Sequence, residues 1–192
     1  MVWIYMMEFK TEVPKILRDH LTSMKTQGRP VSRFTSEDEP IYASKEVQAI
    51  LKSYGIQWEP AEPYTPNQNA IAQRTFRTLF GRVRAVLRDA GLCQSYWGEA
   101  ISYVVYTKNR SPCSVDPSTT PYEAWTGKKT DASNFRPFGC IAYVYNTDPT
   151  KEKVDNRAIK VKFLGYGFCN NQYRFRVSRR KRTFEYSWVR WD

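Results

Sequence analysis

The sequence predicts an α/β chain that ends in a small β-barrel. Strand-like and helix-like runs alternate over residues 1–60, a long amphipathic helix follows from Ala70, and after Phe138 helical periodicity gives way to alternating aromatic and β-branched runs. A length of 192 residues suits one compact domain with a small appendage. The change of pattern places the division at 130/131, with 1–130 as the first domain and 131–192 as the second.

VWIYMM opens the chain as an apolar β run. Val13, Ile16, Leu17, Leu21 and Met24 recur at helical spacing, with Pro14 tolerable only in the first turn. VSRFTS is a short strand. Ser44 caps a helix through SKEVQAILKSYG, where Val47, Ile50, Leu51 and Tyr54 share one face and Gly55 ends it. IQWE is the next strand, so the order of elements predicts a sheet with parallel pairing. EPAEPYTPNQN is a loop on its prolines and asparagines.

The helix from Ala70 has Ile71, Phe76, Leu79, Phe80, Val83, Val86 and Leu87 as its apolar face. Arg74, Arg77, Arg82, Arg84 and Arg88 decorate its other sides, and Gly91 stops it. A second helix runs from about Ser95 to Asn109, and a short one lies at PYEAW. CIAYVYN, IKVKFLGYGF, QYRFRVS and RTFEYSWVRW predict four strands of a barrel. Tyr166, Phe168, Tyr173 and Phe175 alternate as its core, with Arg174 and Arg176 on the other side.

Thirty Lys+Arg against nineteen Asp+Glu give a net charge of +11. Residues 70–130 hold nine basic and four acidic side chains, and 151–192 hold twelve and four, so two blocks carry the excess. The second is densest at Arg174, Arg176, Arg179, Arg180, Lys181 and Arg182, interleaved with aromatics in YRFRVSRRKRTFEY. Such a block suits a polyanion, because neutralising phosphates releases counterions; a basic face toward an acidic protein is the other reading. Tyr96, Trp97, Tyr103, Tyr106, Tyr122 and Trp125 are spaced as core residues or, alternatively, as stacking platforms for bases.

Cys93, Cys113, Cys140 and Cys169 are scattered, and His20 is the only histidine, which excludes a zinc finger, a Cys/His nucleophile pair and a Ser-His-Asp triad. Buried, reduced thiols are expected. The apolar runs are too short to span a bilayer, and no basic leader with a cleavage site is present, so a soluble intracellular protein is expected, without membrane association.

PYTPNQNAIAQR at 63–74 followed by FRTL, then YWGEA, NRSP, TPYEAW, FGCIAYV and KFLGY, resembles the integrase region of copia-type (pseudoviral) LTR retrotransposon polyproteins. The match runs in order from about residue 2 to the end. The resemblance implies a ribonuclease H-like integrase core, partial here because its first strands are expected to be missing, followed by a small SH3-like barrel.

Family members place one Asp on the first strand, a second in R-S-D-N-G-G-E-Y, and a Glu in P-Y-T-P-Q-Q-N-G-x-A-E-R, and these carboxylates hold two Mg²⁺ ions. Here the segment that aligns on Tyr42 reads TSEDEPIY. Glu37 stands where the Asp would be, Asp38 is the alternative ligand one residue along, and Gln73 occupies the third carboxylate position. An amide keeps the shape of Glu and loses its charge. A degenerate site without metal or other cofactor, at Glu37, Asp38 and Gln73, is therefore expected.

In this family the loop before the long helix lies beside DNA. Asn67, Gln68, Asn69 and Arg74 match it, Arg77 adds a cation, and Arg174, Arg176, Arg179, Arg180, Lys181 and Arg182 complete the candidate nucleic-acid-binding set.

The expected function is that of a catalytically inactive, integrase-derived interaction module in the nucleus. It would bind DNA or RNA, and its N-terminal strand would pair with another protein chain or a second copy. Two other classes remain open. One is an active Mg²⁺-dependent DNA strand-transferase whose first strand and Asp come from another segment. The other is an adaptor for an acidic protein.

Overall fold

A computed structural model describes residues 1–37, 39–60, 70–113, 116–145, 157–167, 172–177, 183–187 and 189–192. It divides into two compact units, Tyr5–Arg77 and a second made of Met1–Ile4 with Thr78–Asp192.

In the unit 5–77, a 3-10 turn at Lys10–Glu12 leads into helix α1 (Val13–Thr26), with Pro14 in its first turn where no intrahelical N–H is required. Strand β1 (Arg33–Ser36), helix α2 (Lys45–Ser53) and strand β2 (Gln57–Pro60) follow. The Ser44 hydroxyl accepts from the Val47 N–H at the start of α2. β1 and β2 pair in parallel, Arg33 opposite Gln57 and Ser36 opposite Pro60, because a helix between two strands returns the chain to the same direction. Glu59 lies in β2 as IQWE predicted, and Pro60 extends the strand where a loop was expected; Pro60 is tolerated as the last residue of its strand. Leu21 from α1, Val47, Ile50 and Leu51 from α2, and Ile56 form the buried core.

The other unit holds the rest of helix α3 (Ala70–Asp89), helix α4 (Trp97–Asn109) after a 3-10 turn, helix α5 (Pro121–Thr126) and an antiparallel sheet. The sheet is ordered β6-β5-β4-β3-β7, from β3 (Ile141–Tyr145), β4 (Ala158–Tyr166), β5 (Tyr173–Val177), β6 (Thr183–Tyr186) and β7 (Val189–Trp191). RTFEYSWVRW thus supplies two strands, one at each edge, where the sequence predicted a single one. The C-terminal piece leaves β5's side to pair with β3, a closure of the kind that gives a small barrel its shape.

The faces of β4 serve two cores. Phe163 packs with Val144, Val161 and Phe175 inside the sheet, while Leu164 packs with Leu79, Val83 and Leu87 of α3 and Ile101, Val104 and Val105 of α4. Consecutive side chains of a strand point to opposite faces, so Phe163 and Leu164 reach the two cores by ordinary alternation; a register shift follows between Phe163 and Gly165. Helices and sheet therefore share a core across residue 131. Gly139 marks the closest approach: its φ is +80°, and an added Cβ would lie 2.3 Å from that of Ala90.

Two sequence expectations fail in the details. VWIYMM carries no strand ladder among the described residues. Val2 and Ile4 turn to the helical core, but the backbone of Val2 is satisfied by a side chain. Its N–H donates to Asn109 Oδ1 at 2.9 Å, and its carbonyl accepts from Asn109 Nδ2 at 2.6 Å. A buried asparagine there does for one residue what a neighbouring strand would do for several. On α3, the apolar face is buried only from Leu79 onward. Ile71 is 85% and Phe76 63% exposed, so periodicity identified the stripe but not what covers it.

Candidate functional site: a cleft beside the first turn of α3

Within the unit 5–77 lies a cleft of about 700 Å³. Glu37, immediately after β1, and Gln73, in the first turn of α3, both line it. The end of a parallel strand is where open α/β sheets place their ligands, since the chain leaves the sheet there and exposes side chains. Phe34 and Tyr42 form one apolar side, edge to face with ring centroids 5.7 Å apart. Phe76 and Arg77 contribute from α3.

Lys10 and Glu39, neither singled out from the sequence, also line the cleft and pair at 2.7 Å, the Lys10 side chain largely in solvent and that of Glu39 less than half exposed. The hydrogen bond and charge of Glu39 push the Lys10 ammonium up. Burial, joined by the carboxylates of Glu39 and Glu37, pushes the Tyr42 phenol up, so it stays protonated as a donor at neutral pH. Ser36 is buried and accepts from Trp58 Nε1 at 3.0 Å, which fixes the strand end from which Glu37 emerges.

The family's two-ion chemistry needs several anionic oxygens. The described part of the cleft offers the carboxylates of Glu37 and Glu39, the latter tied to Lys10, with an amide at Gln73. No group of three or more His, Cys, Asp or Glu side chains among the described residues is arranged to hold a metal. These residues do not fit a two-ion centre. Asp38 lies outside the described residues, as do Asn67, Gln68 and Asn69.

Of the expected nucleic-acid-binding set, Arg74 and Arg77 stand exposed on α3, as do Arg82, Arg84 and Arg88. At ~100° per residue, Arg74, Arg77, Arg84 and Arg88 fall within about 80° of one another on the helix, roughly opposite its buried Val83 side. Arg174 and Arg176 are used differently. Both point from β5 to the helices, since Tyr173 and Phe175 take the other side. Arg174 Nη2 donates to Glu99 Oε1 on α4 at 2.9 Å, with side chains 31% and 19% exposed. The Arg176 guanidinium lies 4.7 Å from the centre of the Tyr96 ring. Arg179, Arg180, Lys181 and Arg182 lie outside the described residues.

The aromatic residues mostly build the fold. Tyr106 is stacked on Tyr166 at 3.9 Å and carries the Arg110 guanidinium on it at 3.6 Å; Arg110 is also 4.0 Å from Tyr122. Tyr103 joins both cores, and Trp125 meets Trp3 edge to face at 4.9 Å. Trp97 is 47% exposed. Phe168 lies outside the described residues. Among the described cysteines, Cys93, Cys113 and Cys140 are free thiols; Cys93 is exposed and the other two are partly buried, where burial was expected. No described helix is long and apolar enough to cross a membrane.

Residues 140–192 match the family model of the retroviral polymerase SH3-like domain. The chain is 34% identical over 167 residues to the retrovirus-related Pol polyprotein from transposon TNT 1-94 of Nicotiana tabacum, covering 86% of this chain and 13% of that protein. To the corresponding polyprotein of transposon RE1 of Arabidopsis thaliana it is 24% identical over 173 residues, covering 89% and 12%. The chain therefore spans roughly an eighth of the length of these relatives.

Among solved structures, it is similar to a simian T-cell lymphotropic virus intasome in complex with PP2A regulatory subunit B56 gamma. That likeness has 18% identity and a TM-score of 0.48, covering 96% of this chain and 65% of that one. It is also similar to the catalytic core domain of BIV integrase, with 21% identity and a TM-score of 0.46, covering 65% and 76%. The parallel β1–β2 layer, the long helix and the antiparallel C-terminal sheet fit a ribonuclease H-like core followed by an SH3-like domain. The chain is an integrase-derived retrotransposon Pol region whose homologues are the retrovirus-related Pol polyproteins of plant copia-type transposons.

Proposed function

We propose that this chain is a catalytically inactive nucleic-acid-binding module, working in the nucleus on double-stranded DNA. The observation that carries this is Gln73 in the cleft beside Glu37, where the family's pattern has a carboxylate. An amide cannot supply the bridging negative charge that two Mg²⁺ ions share, and Glu37 is longer by a methylene than the Asp it replaces. What persists is positive charge: the exposed arginines of α3 and the run Arg179, Arg180, Lys181 and Arg182.

Phosphate neutralisation supplies affinity without sequence choice, so binding is expected to be salt-dependent and metal-independent. The domain division is proposed at 130/131. Residues 1–7, uncharged and apolar, are proposed to pair with a strand of another chain or a second copy.

Fluorescence anisotropy on a random duplex over a salt series, in EDTA, tests the binding. A log–log slope of several units supports it. No salt-dependent binding favours the adaptor for an acidic protein instead. Strand transfer in Mg²⁺ by the chain alone would contradict the inactive site.

A further inference from the structure

Two stretches that stand out in the sequence, NRSP at 109–112 and TPYEAW at 120–125, meet in the structure at Arg110 and Tyr122. The Arg110 guanidinium lies 3.6 Å from the centre of the Tyr106 ring and 4.0 Å from that of Tyr122. Two rings this close on one side of it would touch each other, and these two make no ring contact. They therefore take different sides of the guanidinium, and its N–H edge is what remains open.

Both rings are held in place. Tyr106 is stacked on Tyr166 of β4 at 3.9 Å. Tyr122 sits in the first turn of α5, which a reciprocal cap fixes: the Thr120 hydroxyl accepts from the Glu123 N–H at 3.1 Å, and Glu123 Oε2 accepts from the Thr120 N–H at 3.0 Å. What this clamp lacks is an acceptor. Among the described residues the Arg110 side chain makes no hydrogen bond or ion pair. The acids of the following loops are used within those loops, Asp116 by Ser118, Glu123 by Thr120 and Thr130, and Asp131 by Ser133 and Asn134. A partly buried guanidinium left with open donors calls for an anion.

The spacing of the rings selects its shape. A ligand on the guanidinium edge between them has room for one flat layer. A carboxylate is planar and meets a guanidinium through two parallel bonds, whereas a phosphodiester is tetrahedral and carries a sugar on either side. We propose that Arg110, clamped between Tyr106 and Tyr122, receives a carboxylate side chain from an acidic segment of a partner protein. Lys128 and Lys129, exposed just after α5, attract the acids beside it. The site uses none of the arginines of α3 and stands independently of the DNA-binding reading.

The test follows the Arg110 Nε–H signal of the full chain by heteronuclear NMR, assigned through its backbone, while an alternating Glu-Gly peptide, its Gln-Gly counterpart or a random duplex is added. The acidic peptide is expected to shift the signal and the Gln-Gly peptide to leave it in place. Arg110→Lys keeps the charge and loses the planar fork. It is expected to weaken the acidic peptide about tenfold, read by fluorescence anisotropy, while duplex affinity stays within about twofold. An Arg110 signal unmoved by the acidic peptide would overturn the proposal, and the rings would then only fasten α4 to α5; the unaltered chain decides this without any variant. A signal moved by the duplex and not by the peptide would overturn it as well and assign the guanidinium to phosphate.

Discussion

Replacing Arg174 with methionine removes a guanidinium that bonds Glu99 at 2.9 Å, in a pair whose side chains are 31% and 19% exposed. Breaking a fully buried ion pair from one side costs ~3–5 kcal/mol, because a charge is left without compensation. Water reaches part of this pair, so about 2 kcal/mol is expected near neutral pH. The second carboxylate oxygen, Glu99 Oε2, is already buried without a hydrogen-bond partner among the described residues, so Glu99 has little to fall back on. For a chain of this size, about 2 kcal/mol corresponds to a drop of roughly 4–8 °C in Tm.

The penalty carries a pH signature. Burial raises the Glu99 pKa and the charge of Arg174 opposes that rise. Without Arg174 the folded-state pKa moves further above the unfolded one. A carboxyl raised in this way favours folding below the unfolded pKa and loses that advantage as pH climbs through the folded value. Arg174→Met should therefore cost its full amount near neutral pH and much less at about pH 3, below the ordinary carboxylate range, where Glu99 is protonated in both states. Urea unfolding followed by tryptophan fluorescence at the two pH values measures this. The double variant Glu99→Gln with Arg174→Met should recover part of the loss. A change below about 0.5 kcal/mol at both pH values would refute the coupling of sheet to α4 through this pair. The same variant should shift the DNA-binding salt slope by less than the ~0.9 of one phosphate contact, since its charge is used within the protein.

Asn109→Ala should destabilise by about 2 kcal/mol, since Val2 loses partners for both backbone groups, and amide exchange at Val2 should rise before exchange in α4 does. Cys93, exposed and with its pKa lowered chiefly by the hydrogen bond to Ser95, should be alkylated by iodoacetamide at mildly alkaline pH well before Cys140, whose thiol burial pushes up. Peptide mass mapping after timed quenching reads that order. Gln73→Glu alone should leave strand transfer at background in a Mg²⁺ assay, because one restored carboxylate does not assemble a two-ion centre.

The helices could be read from sequence because their signals are local. Ser44 as a cap and the 47/50/51 face of α2 depend on neighbours in the chain, and each has its expected place. Residues 1–7 could not be read so, since a strand is made by hydrogen bonds to a distant segment, and here the side chain of Asn109 supplies two of them, both at Val2. Alternation showed that Arg174 and Arg176 share a side of β5. Only the packing of α4 shows that this side meets Glu99 and Tyr96. At the cleft, the family motifs named Glu37 and Gln73, whereas Lys10 and Glu39 join through a pairing across 29 residues that no local pattern announces.

We propose that this integrase-derived chain holds DNA without acting on it. It is tested most directly by measuring duplex affinity and strand joining in one sample, in EDTA and in Mg²⁺ at matched ionic strength. The same salt-dependent Kd in both, with no joined product, is expected. A Kd that tightens in Mg²⁺ together with joined strands would contradict it.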